Sequence, residues 1–153
     1  MTAPWTQRLA DLGITLPEAA APLAAYVPAV RTGNFVYTSG QLPIRDGELL
    51  ATGKVGAEID PEQGNELARV CGLNALAAVH ALVGIDAVVK VVKVVGFVAS
   101  APGFNGQPGV VNGASELFGE IFGEAGAHAR SAVGVSELPR NAPVEVEITV
   151  EVA

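Results

Sequence analysis

The sequence predicts an α+β domain, a mixed β-sheet with two main helices on one of its faces, and three observations carry that prediction. Near the C-terminus Val144, Val146, Ile148, Val150 and Val152 alternate strictly with Glu145, Glu147, Thr149 and Glu151, the period of a strand with one face in a core. The run from Val88 to Ser100 has the length and valine content of a central strand. Asp60, Pro61 and Gln63 stand as helix cap, first helical residue and reciprocal capping partner ahead of a long apolar stretch. The elements follow the order β-β-α-β-α-β-β without internal repeats or a linker, an order that segregates helices from sheet.

From the N-terminus, residues 4 to 12 predict a short amphipathic helix with Trp5, Leu9 and Leu12 on one side. Pro17 and the Ala/Pro-rich run to Pro22 predict an irregular segment, so that residues 1–25 form an arm wrapped over the domain. Tyr26 to Leu42 predicts a hairpin that turns at Thr32-Gly33-Asn34, where the residue types suit positive φ. A second short turn falls at Arg45-Asp46-Gly47-Glu48. The capped helix runs to about Val83, where Gly84 stops it, and its apolar arc includes Leu67, Val70, Leu73, Ala77 and Cys71. Within the central strand Gly96 marks a bulge or a close approach of another backbone. Residues 101–109 read as a loop and Val110 to Gly123 as a second helix, packing through Leu117, Phe118, Ile121 and Phe122. Two strands follow, the first containing Val133 and Val135 and opening with Arg130.

At 153 residues, half of them hydrophobic, the chain fits one domain spanning 1–153. Its formal charge is −7, from 9 basic and 16 acidic residues, and the basic ones are scattered. Phosphate backbones are repelled by such a surface, so no nucleic-acid partner is expected. A single cysteine, Cys71, excludes an intrachain disulfide and a cysteine metal cluster, and it reads as a small core residue with no basic neighbour to activate it. His80 and His128 lack the spacing of a metal pair; His128, just before Arg130, is placed at the entrance of a cleft. The glycines between 103 and 109 lack phosphate-loop spacing. No apolar run resembles a signal peptide or spans a bilayer, which predicts a cytoplasmic protein with no membrane partner. The mean hydropathy of +0.40 is high for so small a chain, and an interface between subunits is where the surplus apolar surface would go.

Arg130 concentrates the functional question. A guanidinium keeps its proton and offers five donors in a planar fork, so at the mouth of an apolar sheet it needs a carboxylate. That carboxylate is either Glu145 of the next strand or a ligand's. Glu147 and Glu151 continue the alternation and read as a solvated face. Tyr26 taken alone reads as a core aromatic, Ser39 as a turn hydroxyl bonding backbone, and Asn112 as the cap of its helix.

Taken together and in order, Tyr26, Thr38-Ser39-Gly40-Gln41, Val111-Asn112, Ala129-Arg130-Ser131, Leu138-Pro139 and Val144-Glu145-Val146-Glu147 resemble the reactive intermediate deaminase (RidA) family, also called the YjgF/YER057c/UK114 family. The resemblance covers nearly the whole chain. It implies a chorismate-mutase-like fold assembled as a homotrimer, with three clefts between subunits. In those terms Arg130 grips the carboxylate of 2-aminoacrylate or a related enamine or imine acid, and Glu145 positions or activates water. Tyr26 stands at the cleft, and Ser39 and Asn112 supply its polar lining. Where many members have cysteine, two residues after the arginine, this chain has Ala132, whose backbone can still contribute a hydrogen bond. The segment from Ser100 to Asn112 and the N-terminal arm are longer than in the best-studied branch. The implied function is a hydrolytic deaminase needing neither metal nor cofactor, which releases ammonia and a 2-keto acid. An alternative of a different class is a binding protein that holds a small 2-keto or carboxylic acid in the same cleft. Ribonuclease activity, attached to some relatives by name, is opposed by the acidic charge and the missing histidine pair, and chorismate mutase activity would rest on fold analogy alone.

Overall fold

The structure, a computed structural model, describes residues 4–19, 21 and 25–153. Over these the chain runs α1 (Trp5–Asp11), β1 (Ala29–Thr32), β2 (Phe35–Thr38), β3 (Ile44–Arg45), β4 (Glu48–Leu49), α2 (Pro61–Val83), β5 (Val88–Ala99), α3 (Gln107–Phe122), β6 (Ala129–Val135) and β7 (Val144–Val152). Five strands form one sheet in the order β1-β2-β7-β5-β6, while β3 and β4 pair as a separate small hairpin. β6 lies parallel to β5, joined to it through α3, and the other neighbours are antiparallel. The predicted α+β class and element order therefore stand, with the turn at Asp46 and Gly47, both at positive φ, widened into a two-stranded hairpin.

The alternation of β7 is realised residue by residue: Val144, Val146, Ile148, Val150 and Val152 are buried, and the residues between them half-buried. Val91, Val94 and Val98 of β5 point to the same side and meet Leu76, Leu117 and Phe118 of the two helices in one core. Burying side chains of this size supplies about 1.5–3 kcal/mol each before chain entropy is counted, which is why the long valine strands sit centrally. Gly96 allows a close approach and not a bulge: a Cβ there would overlap Val111 of α3. The register shifts of β5 fall earlier, near Val88 to Lys93.

α2 begins as predicted. The Asp60 carboxylate accepts the Gln63 backbone N–H at 2.8 Å and Pro61 occupies the first turn, although the return bond from the Gln63 side chain is not made. Gly84, at φ 81°, ends the helix. By length and composition α2 could cross a bilayer, but more than half of that stretch is buried within the fold. α3 corrects the sequence reading by starting at Gln107, three residues before Val110. Pro108 lies in the first turn, where its missing N–H costs nothing, and the Gln107 amide donates to the Phe104 carbonyl at 2.8 Å.

α1 docks on the domain. The Trp5 indole donates to the Val88 carbonyl at 2.8 Å and its ring meets Phe122 edge-on at 5.0 Å, while Thr6 donates twice to the Asp86 carboxylate. Leu12, placed by periodicity beside Trp5 and Leu9, is instead exposed just beyond the end of the helix. Residues 1–3, 20 and 22–24 of the expected arm lie outside the described residues. On the sheet face away from the helices Val30, Phe35, Tyr37 and Val133 stand 41–52% exposed.

Candidate functional site

Arg130 is the second residue of β6, an edge strand, and lies opposite Val94 of β5. Val94 is buried beneath the helices, so Arg130 projects to the helix side and meets α3. There its Nη1 donates to Asn112 Oδ1 at 2.7 Å and to Ser115 Oγ at 3.2 Å. Asn112 and Ser115 are three residues apart and share a helix face. Because α3 starts at Gln107, Asn112 sits in its second turn and is not the helix cap. Sequence reasoning missed Ser115, whose only signal is that spacing from Asn112.

Two of the five guanidinium donors are thus engaged, which leaves three, Nε–H and the Nη2 pair. These have no partner among the described residues, and Nε–H with the nearer Nη2–H forms one complete edge of the fork. Glu145 does not supply it. Glu145 lies opposite Phe97 of β5, three residues from Val94 in an unbroken register, and an odd separation along a strand sends side chains to opposite faces. Among the described residues the ion pairs are Lys54–Glu137 and Arg69–Glu120, so the internal pairing of Arg130 with Glu145 is not made.

Glu145 lies on the face away from the helices, half-buried, and its carboxyl is raised above the ordinary value, first by burial and then by the charge of Glu147. Glu147, read as solvated, is itself half-buried on this face. The Glu145 carboxylate rests against Gly40, where any Cβ would overlap it. Beside it the Ser39 hydroxyl donates to the Val27 carbonyl at 2.6 Å, so the backbone-bonding reading of Ser39 holds and its oxygen remains only as an acceptor. Tyr26 is 54% exposed, not a core aromatic, because its segment passes outside the sheet. It lines a cavity of about 750 Å³ with Gly40, Gln41, Leu42, Asn74 and Arg140.

The predicted residues therefore fall into two groups. Arg130, Asn112 and Ala132 lie on the helix side at β6, where Ala132 packs beside Gly96. Tyr26, Ser39 and Glu145 gather around Gly40. Within one chain the groups stay separate.

Cys71 is held inside the fold and His80 bonds the backbone just after its helix, while His128 reaches Ser115, which also bonds Arg130. Cys71 is fully buried with its thiol pushed well up, by burial first and then by Glu145. His80 Nδ1 accepts the Ile85 N–H at 3.0 Å. His128 does not stand free at an entrance: its Nε2 lies 2.8 Å from Ser115 Oγ and its Nδ1 2.6 Å from the Gly126 carbonyl. Among the described residues no group of three His, Cys, Asp or Glu side chains could hold a metal ion.

Comparison with known proteins places this geometry in a class. The family described as endoribonuclease L-PSP matches residues 17–152, and the chain belongs to that family, the YjgF/RidA family its motifs resemble. Among its relatives is Protein TCP17 of Trypanosoma cruzi, 46% identical, covering 94% of this chain and 91% of that protein. A Dermatophagoides farinae protein named 2-iminobutanoate/2-iminopropanoate deaminase is 36% identical over 88% of this chain and 91% of its own. A crystal structure of a protein of unknown function from Agrobacterium tumefaciens superposes with a TM-score of 0.90 at 44% identity, covering 97% of this chain and 92% of that one.

Proposed function

We propose that this protein is a cofactor-independent hydrolytic deaminase of small enamine or imine acids. It would act as a homotrimer of chorismate-mutase-like fold, its sites formed between subunits. One observation carries the reading: Asn112 and Ser115 hold Arg130 by Nη1 alone, so its Nε and Nη2 edge is left for a carboxylate. Such an edge binds a carboxylate bidentately, fixing its plane as well as its position. The separation of Arg130 from Glu145 supports a site shared by two chains, and the exposed apolar residues on the bare sheet face support an interface there. The deaminase named among the relatives supports the chemistry.

With the carboxylate on Arg130, the imine carbon is presented to a water beside Glu145 of a neighbouring subunit. Tyr26, the Ser39 oxygen and the Ala132 backbone would complete the lining. Glu145 takes a proton from the water as the new C–O bond forms and passes it to the imine nitrogen, and the proton of the adduct's hydroxyl follows by the same carboxylate to the amine. The tetrahedral adduct then breaks its C–N bond, giving a 2-keto acid and ammonia from imine and water. A carboxyl raised by burial holds a proton more readily than an ordinary glutamate, which suits it to accepting one from water. Because such imines already hydrolyse in water, positioning and a carboxylate that relays the water's protons suffice.

Coupling the protein to a dehydratase that generates 2-aminoacrylate, and following pyruvate, tests the reading. Acceleration by the wild type and its loss in Arg130→Ala are expected; no acceleration, or full activity in that variant, would sink it. The same free fork favours a second reading, a binding protein for a small 2-keto acid, which calorimetry showing pyruvate binding without turnover would support. Phosphodiester cleavage fits less well, since the net charge is −7 and each histidine is engaged with its own neighbours. A cytoplasmic location is part of the proposal, checked by cell fractionation.

A further inference from the structure

We propose that His128 and Ser115 are positioning residues for Arg130, a one-directional hydrogen-bond relay that sets the plane of its guanidinium. This rests on the reading of Arg130 as the carboxylate anchor. The direction of the relay follows from which atoms can donate. The Gly126 carbonyl can only accept, so at 2.6 Å His128 Nδ1 must carry the proton. In the neutral ring Nε2 is then an acceptor, and among the described residues the donor facing it is the Ser115 hydroxyl at 2.8 Å. With its proton committed to His128, Ser115 Oγ turns its lone pairs toward Arg130 Nη1 at 3.2 Å. Asn112 Oδ1 takes the other Nη1 hydrogen at 2.7 Å.

Each link is held by rigid structure. The His128 ring lies edge-on to Phe118, centroids 6.0 Å apart, and Phe118 is completely buried. Ser115 and Asn112 are fixed to one face of α3. Two acceptors on one terminal nitrogen define the plane of a guanidinium, whereas Asn112 alone would leave it free to swing about that contact. The relay therefore decides whether the Nε and Nη2 edge is presented in one orientation, and its effect belongs to carboxylate binding more than to the chemical step.

The resting protein provides the first test. Nitrogen-15 NMR of the histidine rings at mildly alkaline pH is expected to show His128 in the Nδ1-protonated tautomer, with its Nε2 resonance shifted in Ser115→Ala; an Nε2-protonated ring would overturn the relay whatever the activity. In kinetics, Ser115→Ala and His128→Phe should raise KM for the imine acid about tenfold, the worth of one hydrogen bond to a charged group, with a smaller change in kcat. Ser115→Thr and His128→Gln, which restore a hydroxyl and an acceptor, should recover most of the loss. Wild-type KM in Ser115→Ala with an unchanged melting temperature would overturn the proposal, as would failure of both conservative variants to recover. If the wild type proves not to turn over imines, pyruvate affinity by calorimetry replaces KM in the same comparison. A weakened Ser115→Ala then keeps the relay while the deaminase reading fails.

Discussion

Arg130 and Glu145 leave opposite faces of one sheet, with β5 standing between the strands that carry them. A ligand gripped by the first cannot be served by the second of the same chain. In the proposed deaminase the site would therefore be composite, and subunit mixing would report on it directly. Arg130→Ala and Glu145→Gln should each be inactive alone. When the two are unfolded together and reassembled, each site draws its arginine and its glutamate from different chains, so about one quarter of wild-type activity should return. No recovery from a properly mixed assembly would show that both residues act within one chain.

Gly40 is expected to be needed for activity more than for folding. A methyl group there must push aside the Glu145 carboxylate, the flexible end of a half-buried side chain and not backbone. Gly40→Ala should lower kcat/KM by about 10²-fold, the scale of a 1 Å misplacement of a reacting group. Thermal unfolding should show a melting temperature close to wild type.

Glu145 should also leave a signature in stability. Its carboxyl is raised in the folded state, by burial and then by Glu147, so the folded protein holds that proton more tightly than the unfolded chain. The contribution is fully present below the ordinary glutamate range, about pH 4, and is lost as pH rises through the raised value. Glu145→Gln cannot ionise. Its melting temperature relative to wild type should therefore climb between about pH 4 and neutrality, and a constant difference across that range would refute the assignment.

Cys71 should be inert while the protein is folded. Its thiol is fully buried, 3.8 Å from the Val144 carbonyl, and burial pushes its ionisation well up, so thiolate is scarce and inaccessible. A disulfide reagent should label it only at the rate of global unfolding, with full labelling in denaturant. Rapid labelling under native conditions would mean that α2 opens locally.

Much of this was legible in the chain because it depends on local chemistry. Alternation places Glu145 opposite the buried face of β7, the Asp60 cap starts α2, and valine content makes β5 central, each from residues within a few positions of one another. The ordered motifs also marked Arg130, Asn112, Tyr26, Ser39 and Glu145. The start of α3 was not legible, since Pro108 and Gly109 suit a loop as well as a first helical turn, and with that start went the placing of Asn112 as a cap. The link between Ser115 and His128 was not legible, because the spacing of a hydroxyl from Asn112 and the place of an imidazole before Arg130 do not say that both lie beside the same guanidinium.

What the sequence determined by itself was the set of elements, the faces they bury and the identity of the candidate residues, all consequences of short-range periodicity and steric preference. Only the tertiary structure decided whether the fork of Arg130 was taken. Strand order and register are long-range properties: they put β5 between β6 and β7, turn Arg130 toward Asn112 and Ser115, and turn Glu145 away toward Gly40. That geometry leaves one edge of a permanent cation unpaired among the described residues.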